Sequence, residues 1–262
     1  MTAIADNILV SAADGVLEIR FNRADKKNAF TEAMYLGIVE ALEKAEADAA
    51  IRVILLAGEG GAFSAGNDLQ DFMQNPPDLG DQADAGPVMR FMRALSTTRK
   101  TVVAAVQGPA VGVGATLLLH CDLVVAADNA RLSYPFINLG LVPEFGSTLL
   151  LPQRIGYHQA AELTLLGEPI DAATAQRLGL VNRVVPQAKL ADTARALTRK
   201  LAAKAPEALL LTKQLLKSAS GPLAQRIVEE AGHFARRLRT AEFQEAASAF
   251  FEKRAPDFSR LS

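Results

Sequence analysis

The chain has 262 residues, of which 50% are hydrophobic and 22% are charged, and this balance indicates a folded globular protein rather than a disordered one. Its net charge of −1 argues against nucleic acid or an anionic membrane as a partner. The longest strongly apolar runs fall far short of the ~20 residues of a membrane-spanning helix, and the first residues lack the pattern of a signal peptide. We therefore expect a cytoplasmic protein without a membrane segment.

The N-terminal segment predicts a β-hairpin followed by a helix. Ile8 to Ser11 and Val16 to Phe21 are β-rich runs that Ala-Asp-Gly separates. Thr31 is a candidate N-cap, and apolar residues with helical spacing follow it as far as Ala45.

Four short apolar runs alternate with helix-like segments, which predicts parallel strands with crossovers in an α/β protein. The runs are Val53 to Ala57, Val102 to Val106, Leu123 to Ala127 and Leu180 to Val185. The segment from Asn75 to Asp81 is rich in residues that break regular structure and predicts a surface loop. Beyond Pro186 only helix signals follow. We therefore expect an α/β core over residues 1–195 and a helical part over residues 196–262.

Two glycine-rich turns, Gly60 to Asp68 and Gly108 to Ala115, each follow a strand-like run and lead into a predicted helix. Free backbone N–H groups at helix starts bind anions, so the two turns can converge on one oxygen atom. Tight packing of strand against helix is the alternative for both turns. The second turn lacks the last glycine of the G-x-G-x-x-G dinucleotide motif, and the first lacks the first glycine of the G-x-S-x-G nucleophile elbow.

A single acid, Glu144, lies in the otherwise apolar or small segment "GLVPEFGST" from Gly140 to Thr148. Its neighbours between Leu141 and Phe145 would desolvate the carboxyl group and raise its pKa. A carboxyl group with a raised pKa can transfer protons near neutral pH. A solvated carboxylate in a surface loop is the alternative.

The other reactive residue types give weaker signals. Cys121 lies between apolar runs, which predicts a buried thiol rather than a nucleophile. The three histidines are scattered along the chain, so no metal site is predicted. The basic clusters Lys26-Lys27 and Arg236 to Arg239 are either solvated faces or sites for a phosphorylated ligand.

Five segments, in order along the chain, resemble the crotonase superfamily, the family of enoyl-CoA hydratases and isomerases. They are Phe21 to Phe30, Gly60 to Leu69, Ala104 to Thr148, Gly167 to Pro186 and Phe250 to Phe258. The resemblance implies an α/β fold, a crotonase-like spiral of ββα turns with a helical C-terminal oligomerisation part, assembled as homotrimers or dimers of trimers. It also implies an acyl-CoA thioester as substrate and no separate cofactor, because coenzyme A is part of the substrate.

The resemblance further assigns roles to individual residues. The backbone N–H groups of Ala65 and Val113 would hold the thioester carbonyl oxygen, where an enolate needs preorganised donors worth on the order of 3 kcal/mol each. Candidate contacts to the coenzyme A or acyl part are Lys26, Lys27, Ala29, Ser64, Gly66, Asn67, Asp68, Gly112, Phe136, Phe250 and Lys253. Of these, Asp68 is also interpreted as a structural residue that fixes its turn.

The sequence departs from the pattern of the two-glutamate hydratases that it resembles. Thr116 and Phe136 stand where those two glutamates are expected, which disfavours standard hydration. Glu144 matches the single glutamate of the branch that resembles peroxisomal Δ3,Δ2-enoyl-CoA isomerases, and "FSAGNDL" resembles that branch as well. The sequence therefore predicts Δ3,Δ2-enoyl-CoA isomerisation with Glu144 as the only acid/base.

Three alternatives stay open at this point. The first is an enoyl-CoA hydratase. The second is an acyl-CoA thioester hydrolase, for which Ser64 or Ser147 with a histidine is the only available material. The third is a coenzyme A-binding protein without catalysis. Release of free coenzyme A would identify a hydrolase, and acyl-CoA binding without turnover would identify a binding protein.

Overall fold

A computed structural model describes residues 1–5, 7–74, 86–217 and 223–256. The strands in these ranges are β1 (Thr2–Ala5), β2 (Ile8–Ala13), β3 (Val16–Phe21), β4 (Val53–Gly58), β5 (Thr101–Val106), β6 (Pro109–Val111), β7 (Leu123–Ala127), β8 (Arg131–Ser133), β9 (Ile170–Asp171) and β10 (Arg183–Val185). The α-helices are α1 (Glu32–Ala47), α2 (Leu69–Gln74), α3 (Pro87–Thr97), α4 (Val113–Thr116), α5 (Ser147–Ile155), α6 (Tyr157–Leu165), α7 (Ala172–Arg177), α8 (Leu190–Ala202), α9 (Pro206–Lys217), α10 (Leu223–Arg237) and α11 (Ala241–Glu252).

The main sheet has the strand order β1-β2-β3-β4-β5-β7-β10. The first three strands pair antiparallel, and from β3 onward every pair in this sheet is parallel. A second sheet has the order β6-β8-β9. Helices connect the parallel strands, so the predicted α/β class with crossovers is confirmed.

The predicted hairpin and helix cap of the N-terminal segment are also confirmed. β2 and β3 form an antiparallel hairpin in which Ala13 pairs with Val16. The two turn residues between them, Asp14 and Gly15, have φ angles of +53° and +75°, as a tight hairpin turn requires. The Thr31 side chain accepts a hydrogen bond from the backbone N–H of Met34 and caps α1.

The last predicted strand is shorter than expected. The apolar run predicted a strand over residues 180–185, and the structure has β10 only over Arg183–Val185. The backbone N–H groups of Leu180 and Val181 donate to the carbonyl of Ala175 instead, which closes the turn after α7. Both side chains are buried, so their apolar character serves the core rather than strand pairing.

The core lies on both faces of the main sheet. In β4, Ile54 and Leu56 belong to the larger apolar cluster, which includes the buried faces of α1 and α3. Val53 and Leu55 point the other way, into a cluster that Leu190 of α8 joins. A strand buried on both faces needs a continuous apolar sequence, and this explains the unbroken run from Val53 to Ala57.

The C-terminal helices confirm the predicted change of character after the last strand. The predicted boundary at residue 195 falls inside α8, a helix that packs on the sheet, and the division into residues 1–195 and 196–262 stays a prediction. The loop predicted from Asn75 to Asp81 lies outside the described residues. No helix within the described ranges is long and apolar enough to cross a bilayer.

Candidate active site

The two glycine-rich segments pair directly with each other. Ser64 and Ala110 form a parallel bridge, and the N–H of Val111 donates to the Ser64 carbonyl at 2.9 Å. A Cβ on Gly66 would lie 2.8 Å from the Val111 oxygen, and one on Gly114 would lie 2.7 Å from the Ser64 oxygen. Only glycine allows so close a backbone approach. The predicted tight packing is therefore confirmed, and it brings the two turns side by side, while binding of an oxygen atom between them stays a prediction.

One predicted donor at these turns is wrong. The N–H of Ala65 donates to the carbonyl of Lys27 at 2.9 Å, so it is not available to a thioester oxygen. The N–H groups of Asn67 and Val113 have no hydrogen-bond acceptor within the described part of the chain. The N–H of Val113 is free because Val113 is the first residue of α4. Asn67 therefore replaces Ala65 as the candidate donor from the first turn.

A cavity of about 530 Å³ opens beside these turns. Its size is within the range of pockets that hold small-molecule ligands, and its lining is mostly apolar. Nine residues named from the sequence line it: Lys26, Ala29, Ala65, Gly66, Asn67, Asp68, Gly112, Phe136 and Phe250. Sequence reasoning missed several others, including Phe72, Leu139 and Phe234. Phe72 and Phe234 make an edge-to-face contact at 6.4 Å, as do Phe136 and Phe234 at 6.3 Å.

Five residues named from the sequence do not line this cavity, and they are Lys27, Ser64, Val113, Glu144 and Lys253. The Ser64 hydroxyl is buried and donates to the Asn28 carbonyl at 2.9 Å. Lys27 follows a short 3-10 helix in the left-handed conformation and presents its carbonyl to Ala65. These two residues therefore shape the first turn by their hydrogen bonds.

Asp68 has the structural contacts that the sequence interpretation gave it. Its carboxylate forms an ion pair with Arg23 at 2.7 Å and accepts the N–H groups of Gln70 and Asp71 at 3.0 and 3.2 Å. Burial would raise the pKa of Asp68, but Arg23 and these donors hold it below its usual value. The ionised carboxylate fixes the first turn of α2.

Glu144 is buried, with 2% of its surface exposed, so the alternative of a solvated loop residue is wrong. Its Oε1 accepts a hydrogen bond of 3.1 Å from the hydroxyl of Thr116, the last residue of α4. Burial raises the pKa of Glu144 to about 8, the Thr116 hydrogen bond opposes the rise, and the charge of Glu230 adds to it. Glu144 can therefore take up and return a proton near neutral pH, one short helix away from the free N–H of Val113.

The loop after Glu144 has an unusual backbone that other groups hold in place. Phe145 has φ of +60° and Gly146 has φ of +69°. A left-handed conformation at phenylalanine costs on the order of 1–3 kcal/mol and persists only where neighbours fix it. The His120 ring stacks on Phe145 with 3.8 Å between ring centroids, and its Nε2 donates to the Phe145 carbonyl at 2.8 Å. Burial lowers the pKa of His120 to about 3, so this imidazole is neutral.

Tyr35 joins the first turn to the surroundings of Glu144. The buried Tyr35 hydroxyl donates to Oδ1 of Asn67. Burial and then the charge of Glu144 raise the pKa of Tyr35. Because Oδ1 is taken, the Asn67 amide keeps its donor side for other partners. No local sequence signal marks Tyr35, since it reads as one more apolar position of α1.

The groups required by the hydrolase alternative do not meet. Within the described residues, no hydrogen bond joins Ser64 or Ser147 to a histidine, and the Ser147 hydroxyl has no partner. Cys121 is buried as predicted, and burial raises the pKa of its thiol to about 12. No group of three or more metal-ligating side chains in the described part of the chain could hold a metal ion.

Comparison with known proteins shows the family to which the chain belongs. The family model "Enoyl-CoA hydratase/isomerase" matches residues 11–260. The 1,2-epoxyphenylacetyl-CoA isomerase of Escherichia coli K12 is 38% identical over 259 residues, which cover 96% of this chain and 98% of that protein. The chain therefore belongs to the enoyl-CoA hydratase/isomerase family, the crotonase superfamily, and it is an enzyme of that family.

Solved structures of relatives agree in fold. The structure of Pseudomonas aeruginosa OdaA is 47% identical, with a TM-score of 0.89 over 94% of this chain and 98% of that chain. An enoyl-CoA hydratase/isomerase from Pseudoalteromonas atlantica T6c is 39% identical, with a TM-score of 0.90 over 96% of this chain and 99% of that chain. Relatives named as hydratases and relatives named as isomerases both occur, so the reaction must be inferred from the site itself.

Proposed function

We propose that this protein is a Δ3,Δ2-enoyl-CoA isomerase in which Glu144 is the only acid/base. The observation that carries the proposal is the burial of Glu144 beside Thr116, at the end of the helix that begins with the free N–H of Val113. A single carboxyl group with a pKa of about 8 suits a reaction in which one proton is removed and then returned.

The reaction follows from these groups. The Glu144 carboxylate removes a proton from C2 of a 3-enoyl thioester, and the electron pair of that bond moves to the carbonyl oxygen to form a dienolate. The N–H groups of Asn67 and Val113 stabilise the charge on this oxygen. Glu144 then returns the proton to C4, which leaves the double bond between C2 and C3. No water is consumed, and atoms and charge balance without another cofactor.

Hydration of a 2-enoyl thioester is the second candidate, because hydratases occur among the relatives. That reaction needs groups that hold a water molecule and transfer its protons. Thr116 already donates to Glu144, and Phe136 lines the cavity with an apolar ring. Neither residue supplies a second acid, so isomerisation is favoured over hydration.

The acyl-CoA substrate would enter the cavity beside the two turns, and its thioester would have to reach beyond the cavity lining to Glu144 and Val113. Lys26 and Ala29 line one part of it and suit the coenzyme A portion, while Phe136, Leu141 and Phe234 suit the apolar acyl chain. The family resemblance further supports a homotrimer or a dimer of trimers, and Phe250 and Lys253 are candidates for contacts at a neighbouring subunit's substrate.

Separate measurements of three products test the proposal. The wild-type enzyme and Glu144→Gln are incubated with matched 3-enoyl and 2-enoyl thioesters, and the isomer, 3-hydroxyacyl and free coenzyme A products are quantified by chromatography. We expect isomerisation by the wild type, a loss of at least about a thousandfold in the variant, and retained binding of acyl-CoA. Glu168→Gln, an exposed acid elsewhere, is the matched control and should keep full activity. Wild-type isomerisation by Glu144→Gln would refute the proposal.

A further inference from the structure

A second buried carboxyl group, Glu230 of α10, holds the loop that carries Glu144. Glu230 is 5% exposed. One of its oxygens accepts the backbone N–H of Gly146, and the other accepts the N–H of Thr148 at 2.9 Å together with the Thr148 hydroxyl. Its carboxylate therefore occupies the start of α5, where the N-cap residue, Gly146, has no side chain to cap the helix.

These contacts favour the ionised form of Glu230. Both carboxylate oxygens already receive N–H donors, so a proton on either oxygen would face a donor. Burial raises the pKa of Glu230, but the donors from Thr148 and Gly146 and the charge of Arg226 oppose the rise. Arg226 also donates to the Thr148 hydroxyl at 3.4 Å, which directs that hydroxyl proton toward Glu230.

The fit between α10 and the loop is close. A Cβ on Gly146 would lie 2.5 Å from Cδ1 of Leu223 and 3.2 Å from Cγ1 of Ile227, both on α10. Gly146 is also in the left-handed conformation that glycine favours. α10 therefore packs directly on Gly146, the residue that follows Phe145 with its strained backbone.

We propose that Glu230 is a positioning residue for Glu144, fixing the backbone of residues 144–148 from α10 and placing a negative charge that acts on the catalytic carboxyl group. This inference rests on the proposed function, in which Glu144 is the base. It adds the requirement that isomerisation depend on the carboxylate of Glu230, which does not contact the substrate.

The groups that face the two acids define the electrostatic effect. Thr116 of α4 donates to Glu144, the charge of Glu144 acts on Tyr35 of α1, and neutral His120 holds the next residue of the loop. Glu230 is faced by Arg226 from its own helix and by donors of the α5 start. A negative Glu230 disfavours a negative Glu144, so removing the charge of Glu230 lowers the pKa of Glu144.

The experiment is the pH dependence of kcat/KM for 3-enoyl-CoA isomerisation in four proteins. In Glu230→Gln, we expect the acidic limb to move to lower pH by on the order of one unit, and the plateau to fall because the amide donates where the carboxylate accepted. In Glu230→Asp, which keeps the charge but shortens the reach to Gly146 and Thr148, the limb should stay near its wild-type pH while the plateau falls. Glu168→Gln removes an exposed charge elsewhere and should leave the wild-type limb unchanged.

A readout that is independent of turnover separates this inference from the proposed function. Carboxyl infrared bands are followed during titration of the folded proteins, and the band that disappears in Glu144→Gln reports Glu144. A lower pKa of this band in Glu230→Gln supports the inference even where isomerase activity is absent. An unchanged pKa, in infrared and kinetics alike, overturns it. Should Glu230→Gln not fold, Glu230→Asp decides: a lowered plateau with the wild-type limb supports the inference, and a wild-type plateau overturns it.

Discussion

The hydroxyl of Thr116 donates a hydrogen bond of 3.1 Å to the carboxyl group of Glu144, and both residues are buried. The bond connects the candidate base to α4, whose first N–H is free to bind a substrate oxygen. It also stabilises the ionised form of Glu144 against the effect of burial. Thr116 therefore affects both where the base lies and at what pH it acts.

Thr116→Val tests this role, because it removes the hydroxyl with little change in shape. We expect the pKa of Glu144 to rise above about 8 and the acidic limb of kcat/KM to move to higher pH by roughly half a unit to one unit. Thr198→Val is the matched control, since Thr198 is equally buried and its hydroxyl donates to a backbone carbonyl in α8. A limb that moves equally in both variants would contradict a specific role for Thr116.

Tyr35→Phe tests the link between α1 and the first turn. Loss of the hydroxyl frees the Asn67 side chain to rotate, and we expect kcat to fall by roughly tenfold while the protein loses about 1 kcal/mol of unfolding free energy. Tyr134→Phe is the control, because the hydroxyl of this buried tyrosine has no partner among the described residues. Equal kinetics in the two variants would show that the Tyr35 hydroxyl has no influence on the site.

Gly114→Ala tests the close approach of the two turns. The new methyl group would meet the Ser64 carbonyl oxygen at 2.7 Å, so the segments must separate. We expect a loss of about 2 kcal/mol or more in unfolding free energy and a large fall in kcat. Gly61→Ala places its methyl group in open space and should change neither quantity. Denaturant unfolding and initial-rate kinetics provide the measurements.

His120→Gln tests whether the imidazole of His120, which stacks on Phe145 after Glu144, is neutral in the folded protein. The pKa of His120 is about 3 in the folded protein, against an ordinary value of 6.5 for a solvated histidine, so the unfolded chain binds the proton more readily between these values. The contribution of His120 to wild-type stability is therefore complete above pH 6.5 and is lost as pH falls toward 3, by up to about 1.4 kcal/mol per pH unit.

His120→Gln should lose the part of the pH dependence of stability that comes from His120. His158→Gln, which replaces an exposed histidine, should keep the wild-type curve. Glu144 contributes with the opposite sign, because its raised pKa costs stability as pH rises from 4.5 toward about 8. The unfolding free energy of each variant must therefore be compared with that of the wild type at the same pH. Parallel curves for wild type and His120→Gln would contradict the assigned charge state.

Features with a local physical cause could be predicted from the sequence. The Asp14-Gly15 turn, the Thr31 cap and the continuous apolar strand β4 each follow from neighbouring residues. Glu144 could be singled out for the same reason, because its apolar neighbours are adjacent in sequence. The length of β10 could not be predicted, because the apolar residues at its predicted start are buried in the core and do not pair with a neighbouring strand.

Features that depend on distant partners were missed or misplaced. Ala65 was a wrong donor because its N–H is occupied by Lys27, a contact between segments far apart in the chain. Glu230 reads as one acid of an amphipathic helix, and only packing of α10 on the α5 start gives it a role. Tyr35 is hidden in the same way among the apolar positions of α1.

A single-turnover transfer of deuterium tests most directly whether one carboxyl group moves the proton. The substrate is a 3-enoyl-CoA with deuterium at C2, in light water, and the product is analysed for deuterium at C4 by mass spectrometry. Since Glu144 is 2% exposed, we predict that a substantial share of the label reaches C4 before it exchanges with water. Product that carries only solvent hydrogen at C4, formed at an equal rate by Glu144→Gln, would contradict a proton shuttle at Glu144.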